Sequence, residues 1–278
     1  MLVDSGVFAI RCGSSYSVKL FMKRLIILLL LTPVVSFSQS PFDGTWVLNQ
    51  GTDELPEKPA QYLLAKGMFR CSGCIVNMEI DADGYDHEVA AADYWDTVNV
   101  QIVDAHTVEV IAKKAGRAML TEVDAISPDG TTLTQVVKDT TEADTVTIET
   151  HNRRVENGPV GSHAISGSWR AYKANRSSNG SIVKYKCTKD GFSGETPLGE
   201  RFDAKFDGNY YSVEDDPGHT MVSAKLLNPN TVELTHKRKE KIVSISHMSV
   251  VPGGNSIHVV FENKESNTTT IFEFQKQP

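Results

Sequence analysis

Cys71-Ser72-Gly73-Cys74 is the most conspicuous chemical motif in this chain of 278 residues. Cysteines this close can form a small disulfide ring, act as a redox pair, or supply half of a zinc site. A redox pair of the thioredoxin kind wants the start of a helix in an α/β unit, and no such unit is readable nearby. Zinc needs about two further ligands, whereas His87, His106, His151 and His163 are scattered singly. The expectation is a structural disulfide between Cys71 and Cys74 and no metal. Cys187 alternates with Val183 and Tyr185 and is expected to be a buried free thiol.

Nucleophilic catalysis has no visible constellation. The chain contains no Gly-x-Ser-x-Gly elbow, His219 and His247 stand alone, and Glu214-Asp215-Asp216 reads as a solvated turn before Pro217. No catalytic residue and no cofactor are expected, and the chain is not read as an enzyme. Asn175, Asn179 and Asn267 each open an Asn-x-Ser/Thr triplet, taken as accidents of a polar surface. A net charge of -7 without a sustained basic run argues against a nucleic-acid partner, since the cluster at residues 236–241 contains Glu240.

The elements that would position any site begin after a targeting segment. Met22-Lys23-Arg24 is a short positive region, residues 25–35 are an almost unbroken apolar run, and Ser36-Phe37-Ser38 is a small-x-small cleavage pattern. The run is about half of the roughly 20 residues that a spanning helix needs. A signal peptide at residues 22–38 is therefore expected, behind an upstream extension from Met1. It would deliver a periplasmic or secreted chain from about Gln39, with no stable membrane insertion.

The rest is written twice. Asp43-Gly44-Thr45-Trp46 recurs as Ser166-Gly167-Ser168-Trp169. At an offset of about 124, Asp83-Gly84 meets Asp207-Gly208, Thr107-Val108-Glu109 meets Thr231-Val232-Glu233, and Val136 meets Val260. Two copies are too few for a solenoid and each is of domain size. Tandem domains are expected at residues 41–155 and 165–278, joined by a linker at 156–164 that contains Gly158-Pro159-Val160-Gly161.

Each copy reads as strand and turn. Residues 108–111 and 232–234 alternate β-branched positions, with reversals expected at Ala115-Gly116 and Lys239-Glu240. Ser127-Pro128-Asp129-Gly130 and Pro252-Gly253-Gly254-Asn255 are hairpin signals. Only residues 60–66 look mildly helical. About eight to nine strands per copy with short turns predict an all-β chain of two antiparallel barrels or sandwiches.

Gly44-Thr45-Trp46 and Gly167-Ser168-Trp169 resemble the opening motif of lipocalins. Lys-Phe-Asp-Gly-x-x-Tyr at Lys205 to Tyr211, Asn-Pro-Asn-Thr-Val-Glu at Asn228 to Glu233 and the late hairpin make each copy similar to exported bacterial lipocalin-like repeats. The resemblance implies two lipocalin-like barrels with Trp46 and Trp169 packed across their bases. It also implies a basic cover from the last strand, Arg153 or Arg154 in the first copy and Lys276 in the second. Those relatives mostly lack an assigned function. The resemblance implies a binding protein holding a small apolar or amphipathic molecule in a barrel mouth. The alternative is an envelope module with filled barrels that meets a protein partner. A cavity of about 300 Å³ or more, apolar with a few polar groups, would favour the first.

Overall fold

The computed structural model describes residues 40–72, 78–89, 94–141 and 144–278. The expected signal segment and Cys74 lie outside the described residues. In chain order the first strands are β1 (Gly44–Leu48), β2 (Ala60–Ala65), β3 (Met68–Ser72), β4 (Met78–Asp81), β5 (Asp86–Glu88), β6 (Thr97–Ile102), β7 (Thr107–Lys114), β8 (Arg117–Ile126), β9 (Thr132–Asp139) and β10 (Val146–Asn157). They continue as β11 (Gly167–Arg176), β12 (Ile182–Cys187), β13 (Gly191–Glu195), β14 (Arg201–Lys205), β15 (Tyr211–Ser212), β16 (Met221–Asn228), β17 (Thr231–Arg238), β18 (Lys241–Val250), β19 (Ser256–Asn263) and β20 (Thr268–Lys276).

The chain is all-β, in two antiparallel sheets of ten strands. Barrel 1 runs β4-β3-β2-β11-β10-β9-β8-β7-β6-β5, and barrel 2 runs β14-β13-β12-β1-β20-β19-β18-β17-β16-β15. Each sheet curls until it is nearly closed. In barrel 2 the ends meet where Arg201 and Glu214 exchange backbone hydrogen bonds of 3.1 and 2.7 Å. Short strands such as β5 and β15 account for the excess over the eight to nine expected.

Local chemistry explains the reversals. Ala115 and Gly116 both have positive φ, as do Lys239 and Glu240, the geometry whose twist matches a two-residue hairpin. Gly130 N donates to Ser127 O at 2.8 Å and Gly254 N to Val251 O at 3.0 Å, closing the two late hairpins. Residues 60–66, expected to be mildly helical, instead contribute β2. There Tyr62 and Leu64 are buried while their neighbours are not, and pairing with β3 and β11 overrides a weak local preference.

The two copies exchange their first strands. β1 pairs with β12 and β20 in barrel 2, whereas β11 pairs with β10 and β2 in barrel 1. The expected boundaries, 41–155 and 165–278, are therefore not those of the sheets. Barrel 1 is the continuous stretch 60–176, inserted into a barrel 2 made of residues 44–48 and 182–276. The expected linker at 156–164 begins on the last two residues of β10 and otherwise lies in the connection from β10 to β11, residues 158–166, inside barrel 1. A connection so short favours pairing of the strands it joins, which commits β11 to barrel 1 and leaves its counterpart site in barrel 2 for β1.

The two crossings between barrels are knit side by side. Gln50 Nε2 donates to Arg176 O at 2.8 Å and Gln50 Oε1 accepts from Arg176 N at 2.9 Å. Arg176 also forms a 2.8 Å ion pair with Asp53, whose side chain is only 2% exposed. Losing either partner would strand a buried charge.

This topology sets the expected behaviour of fragments. Residues 60–176, which hold every strand of barrel 1, should melt cooperatively as a β-rich domain. Residues 41–155, which lack β11, should melt at a lower temperature. Circular dichroism melting of the two fragments checks the order, and a more stable 41–155 would contradict it.

Candidate functional site

The base of each barrel is built by the repeated Gly-x-Trp. Gly44 and Gly167 have φ of 134° and 135°, and a Cβ on Gly167 would lie 2.3 Å from Glu156 O. The bend admits only glycine and turns the next indole inward. Trp46 donates Nε1–H to Phe42 O and Trp169 to Ile165 O, both at 2.8 Å. Both rings are almost fully buried, with 0% and 1% exposure, which satisfies their one polar atom and fills a wide space.

Basic side chains cover the two rings, each from the copy opposite to that of the Trp. The Arg154 guanidinium stands 3.9 Å from the Trp169 centroid and Lys276 Nζ 5.2 Å from that of Trp46. Arg154 also donates to Ser166 O and Ala164 O, each at 2.7 Å, tying β10 to the entry of β11. Arg153, the other candidate, lies 4.6 Å over Tyr172 instead. Adjacent strand residues face opposite ways, so only one of the pair can reach the base.

Above Trp169, barrel 1 encloses a cavity of about 320 Å³. Its wall is mostly apolar, with Phe69, Trp95, Val110 and Leu120 among the contributors, and Pro56, Lys58 and Thr268 border it from outside the barrel strands. Inward positions on β8, β9 and β10 break the apolar pattern with Glu122, Asp124, Gln135 and Asn152. The Gln135 amide nitrogen is 2.8 Å from Glu122 Oε1, 2.8 Å from Asp124 Oδ1 and 3.0 Å from Tyr62 Oη. Asn152 Nδ2 donates to Gln135 Oε1 at 3.0 Å, which fixes the amide's orientation. One amide with two protons thus faces three oxygens.

The excess of acceptors shows in the electrostatics. Burial pushes the Glu122 carboxyl above the usual carboxylate range. Burial first, and the Glu122 charge second, push Asp124 well above it. Tyr62 is raised by burial and then by both carboxylates. Asp124 is 1% exposed, and among the described residues no amide, amine or hydroxyl donor reaches its Oδ2. Trp95, 8% exposed, has no partner for its indole N–H among the described residues.

Barrel 2 fills the same positions. Strand register sets Gln135 opposite Thr150 and Leu133 opposite Asn152, and it sets Val259 opposite Phe272 and Ile257 opposite Phe274. Met248 and Val259 stand where barrel 1 has Asp124 and Gln135, and Phe272 and Phe274 where it has Thr150 and Asn152. The rings of Phe261, Phe272 and Phe274 run in sequence, with centroids 6.5 and 6.4 Å apart. A smaller pocket of about 280 Å³ remains at one end. There Asp216 accepts from Gly218 N at 3.0 Å and Arg238 is paired with Glu265 at 2.6 Å. Burial, with Asp216 second, raises Glu200 to about 7, and burial lowers His236 to about 4. Tyr94 of barrel 1 closes that pocket, and a Cβ on Gly218 would meet its ring at 2.8 Å.

The motifs singled out in the sequence do not converge on the cavity. Cys71 is buried in the core of barrel 1, and its expected partner Cys74 lies outside the described residues. Cys187 is a free, half-buried thiol whose pKa is raised by burial. Glu214 and Asp215 are exposed as expected for a solvated turn, but Asp216 is buried. Asp81, Asp83 and His87 gather on the surface, a grouping the sequence reading did not pick out.

The buried acids give stability a defined pH dependence. Both have folded pKa values above the unfolded value of about 4. Their contribution is complete below about pH 4 and is lost as pH rises through the folded values, because the folded state then gives up protons it holds better than the unfolded chain. Asp124→Asn removes one such group. Its melting temperature relative to wild type should therefore rise between about pH 5 and about pH 8. A difference independent of pH would mean that the pair titrates normally.

No protein-family model matches the chain, and no curated protein matches it in sequence. Among solved structures, a double mutant of the vaccine antigen Transferrin Binding Protein B from Haemophilus parasuis matches with a TM-score of 0.23 and 9% identity. The match covers 81% of this chain and 45% of that one, so the chain spans less than half of that protein. A likeness this slight carries no weight for function.

Proposed function

We propose that this is an exported, non-enzymatic binding protein in which barrel 1 holds a small amphipathic molecule and barrel 2 is a filled, structural partner. The observation that carries the reading is the contrast between two copies of one backbone plan. Barrel 1 keeps about 320 Å³ open above Trp169, within the range of small-molecule sites, where barrel 2 places phenylalanines. The wall is apolar with a few convergent polar groups, the usual composition of such a site. The lipocalin-like opening motif and the tandem organisation agree with this reading. Export rests on the signal-like residues 22–38, and with it the structural disulfide proposed for Cys71 and Cys74.

Two experiments test the proposal. Val137→Phe with Thr150→Phe copies two of the aromatic positions of barrel 2 into barrel 1. The double variant should fold and lose binding of an apolar fluorophore that wild type takes up with one-to-one stoichiometry. Undiminished binding would move the site elsewhere. For export, N-terminal sequencing of the protein from the envelope or medium should begin near Gln39, and a chain retained in the cytoplasm with residues 22–38 intact would remove that part of the proposal.

A further inference from the structure

Taking the cavity of barrel 1 as a binding chamber, we infer that its ligand is a small amphipathic amine. The ammonium sits between Glu122 and Asp124, the apolar body runs along Leu120, Val137 and Ile148, and a hydrogen-bond acceptor faces Trp95. The inference rests on that reading and narrows it to a chemical class.

The first argument is a proton count. Around the polar layer the described side chains offer the oxygens of two carboxyls and one phenol, against the two protons of the Gln135 amide and the phenol's own hydrogen, while Asn152 Nδ2 is occupied with Gln135 Oε1. The two carboxyls lie within hydrogen-bonding reach of each other, a contact that requires a proton between them. An ammonium group brings three donors and a positive charge to a place where acceptors outnumber donors. It would replace the shared proton, which leaves to solvent. The basic groups nearby do not compete for the acids. Lys58 is at the border of the cavity and donates to Ser266 O at 3.0 Å, and Arg154 is engaged with Trp169 and two backbone carbonyls.

The second argument is independent of the acids. Trp95 lines the same cavity and is buried, with an indole N–H that finds no acceptor among the described residues. A buried donor left unpaired is unfavourable, so the chamber presents a contact for its occupant to make. Size sets the scale of the ligand. A volume of about 320 Å³ is roughly ten times the share of one water in the liquid, which suits an amine of about ten non-hydrogen atoms.

Calorimetric titration of the full chain near neutral pH with octylamine, octanol and octanoate tests the class. Octylamine should bind at least tenfold more tightly than octanol, and octanoate should bind more weakly than both. Titrating in two buffers of different ionisation heat should show proton release on octylamine binding. Glu122→Gln with Asp124→Asn, which keeps size and hydrogen-bonding reach, should abolish both the preference and the proton release while octanol still binds. Asp124→Asn alone serves if the double variant does not fold. Octanol or octanoate binding as tightly as octylamine would overturn the amine while leaving the chamber in place. No binding of any of the three would overturn the chamber as well. Finally, 8-methoxyoctylamine should bind more tightly than octylamine to wild type but not to Trp95→Phe, and an unchanged advantage in that variant would remove the Trp95 contact.

Discussion

Trp46 and Trp169 each fill the base of a barrel whose remaining strands come largely from the other copy. A Trp in this position is held by three conditions at once. The glycine two residues earlier must adopt positive φ, the indole N–H must reach a carbonyl four residues back, and a cation must close the outer face. Arg154 meets the last condition with a planar fork that also bonds Ser166 O and Ala164 O, whereas Lys276 stands farther from its ring. Truncating a buried Trp costs about 3–5 kcal/mol. Here such a loss would fall on the joint between copies, because the Trp strand is the one each copy lends. The short β10–β11 connection favours that loan, and the Gln50, Asp53 and Arg176 crossing is its consequence.

The exchange makes the two barrels one assembly while leaving their interiors free to differ. Barrel 2 packs Phe272 and Phe274 with Met248 and Val259 over Trp46. Barrel 1 leaves space over Trp169 and lines part of it with acids and amides. Each barrel end also borrows from the other half. Pro56, Lys58 and Thr268 border the cavity of barrel 1, and Tyr94 covers the pocket of barrel 2. Movement of one barrel against the other would therefore be felt at both openings.

Much of this was legible in the residues. Turn chemistry at Ala115-Gly116, Pro128-Asp129-Gly130 and Gly253-Gly254 marks the hairpins, because positive φ and a preset first angle are written in residue type. The duplication and Gly-x-Trp mark the two bases and their basic covers. The strand exchange was not legible, because alternation records which face of a strand is buried and not which of two equivalent sheets receives it. Arg154 rather than Arg153 as the cover also depends on register, which one residue reverses. The polar layer escaped notice for a related reason. Glu122-Val123-Asp124 reads as a strand with Val123 inward, and the acids are instead on the cavity side. A comparison of the copies position by position carries the missing signal, since Asp124 aligns with Met248 and Gln135 with Val259.

That alignment also bears on why the acids are there. A buried carboxyl pair is a poor way to hold a β-barrel together, since replacing buried charged groups by well-packed apolar ones is often neutral or stabilising by 1–4 kcal/mol. In most proteins the apolar alternative is hypothetical. Here it exists in the same chain, on strands of the same register, closed by the same kind of Trp. Barrel 2 demonstrates that the backbone plan accepts Met, Val and Phe at the positions where barrel 1 carries Asp124, Gln135 and Asn152. The fold does not require the polar layer, and burial acts against it by raising both acids. What remains to account for these side chains is the space they face.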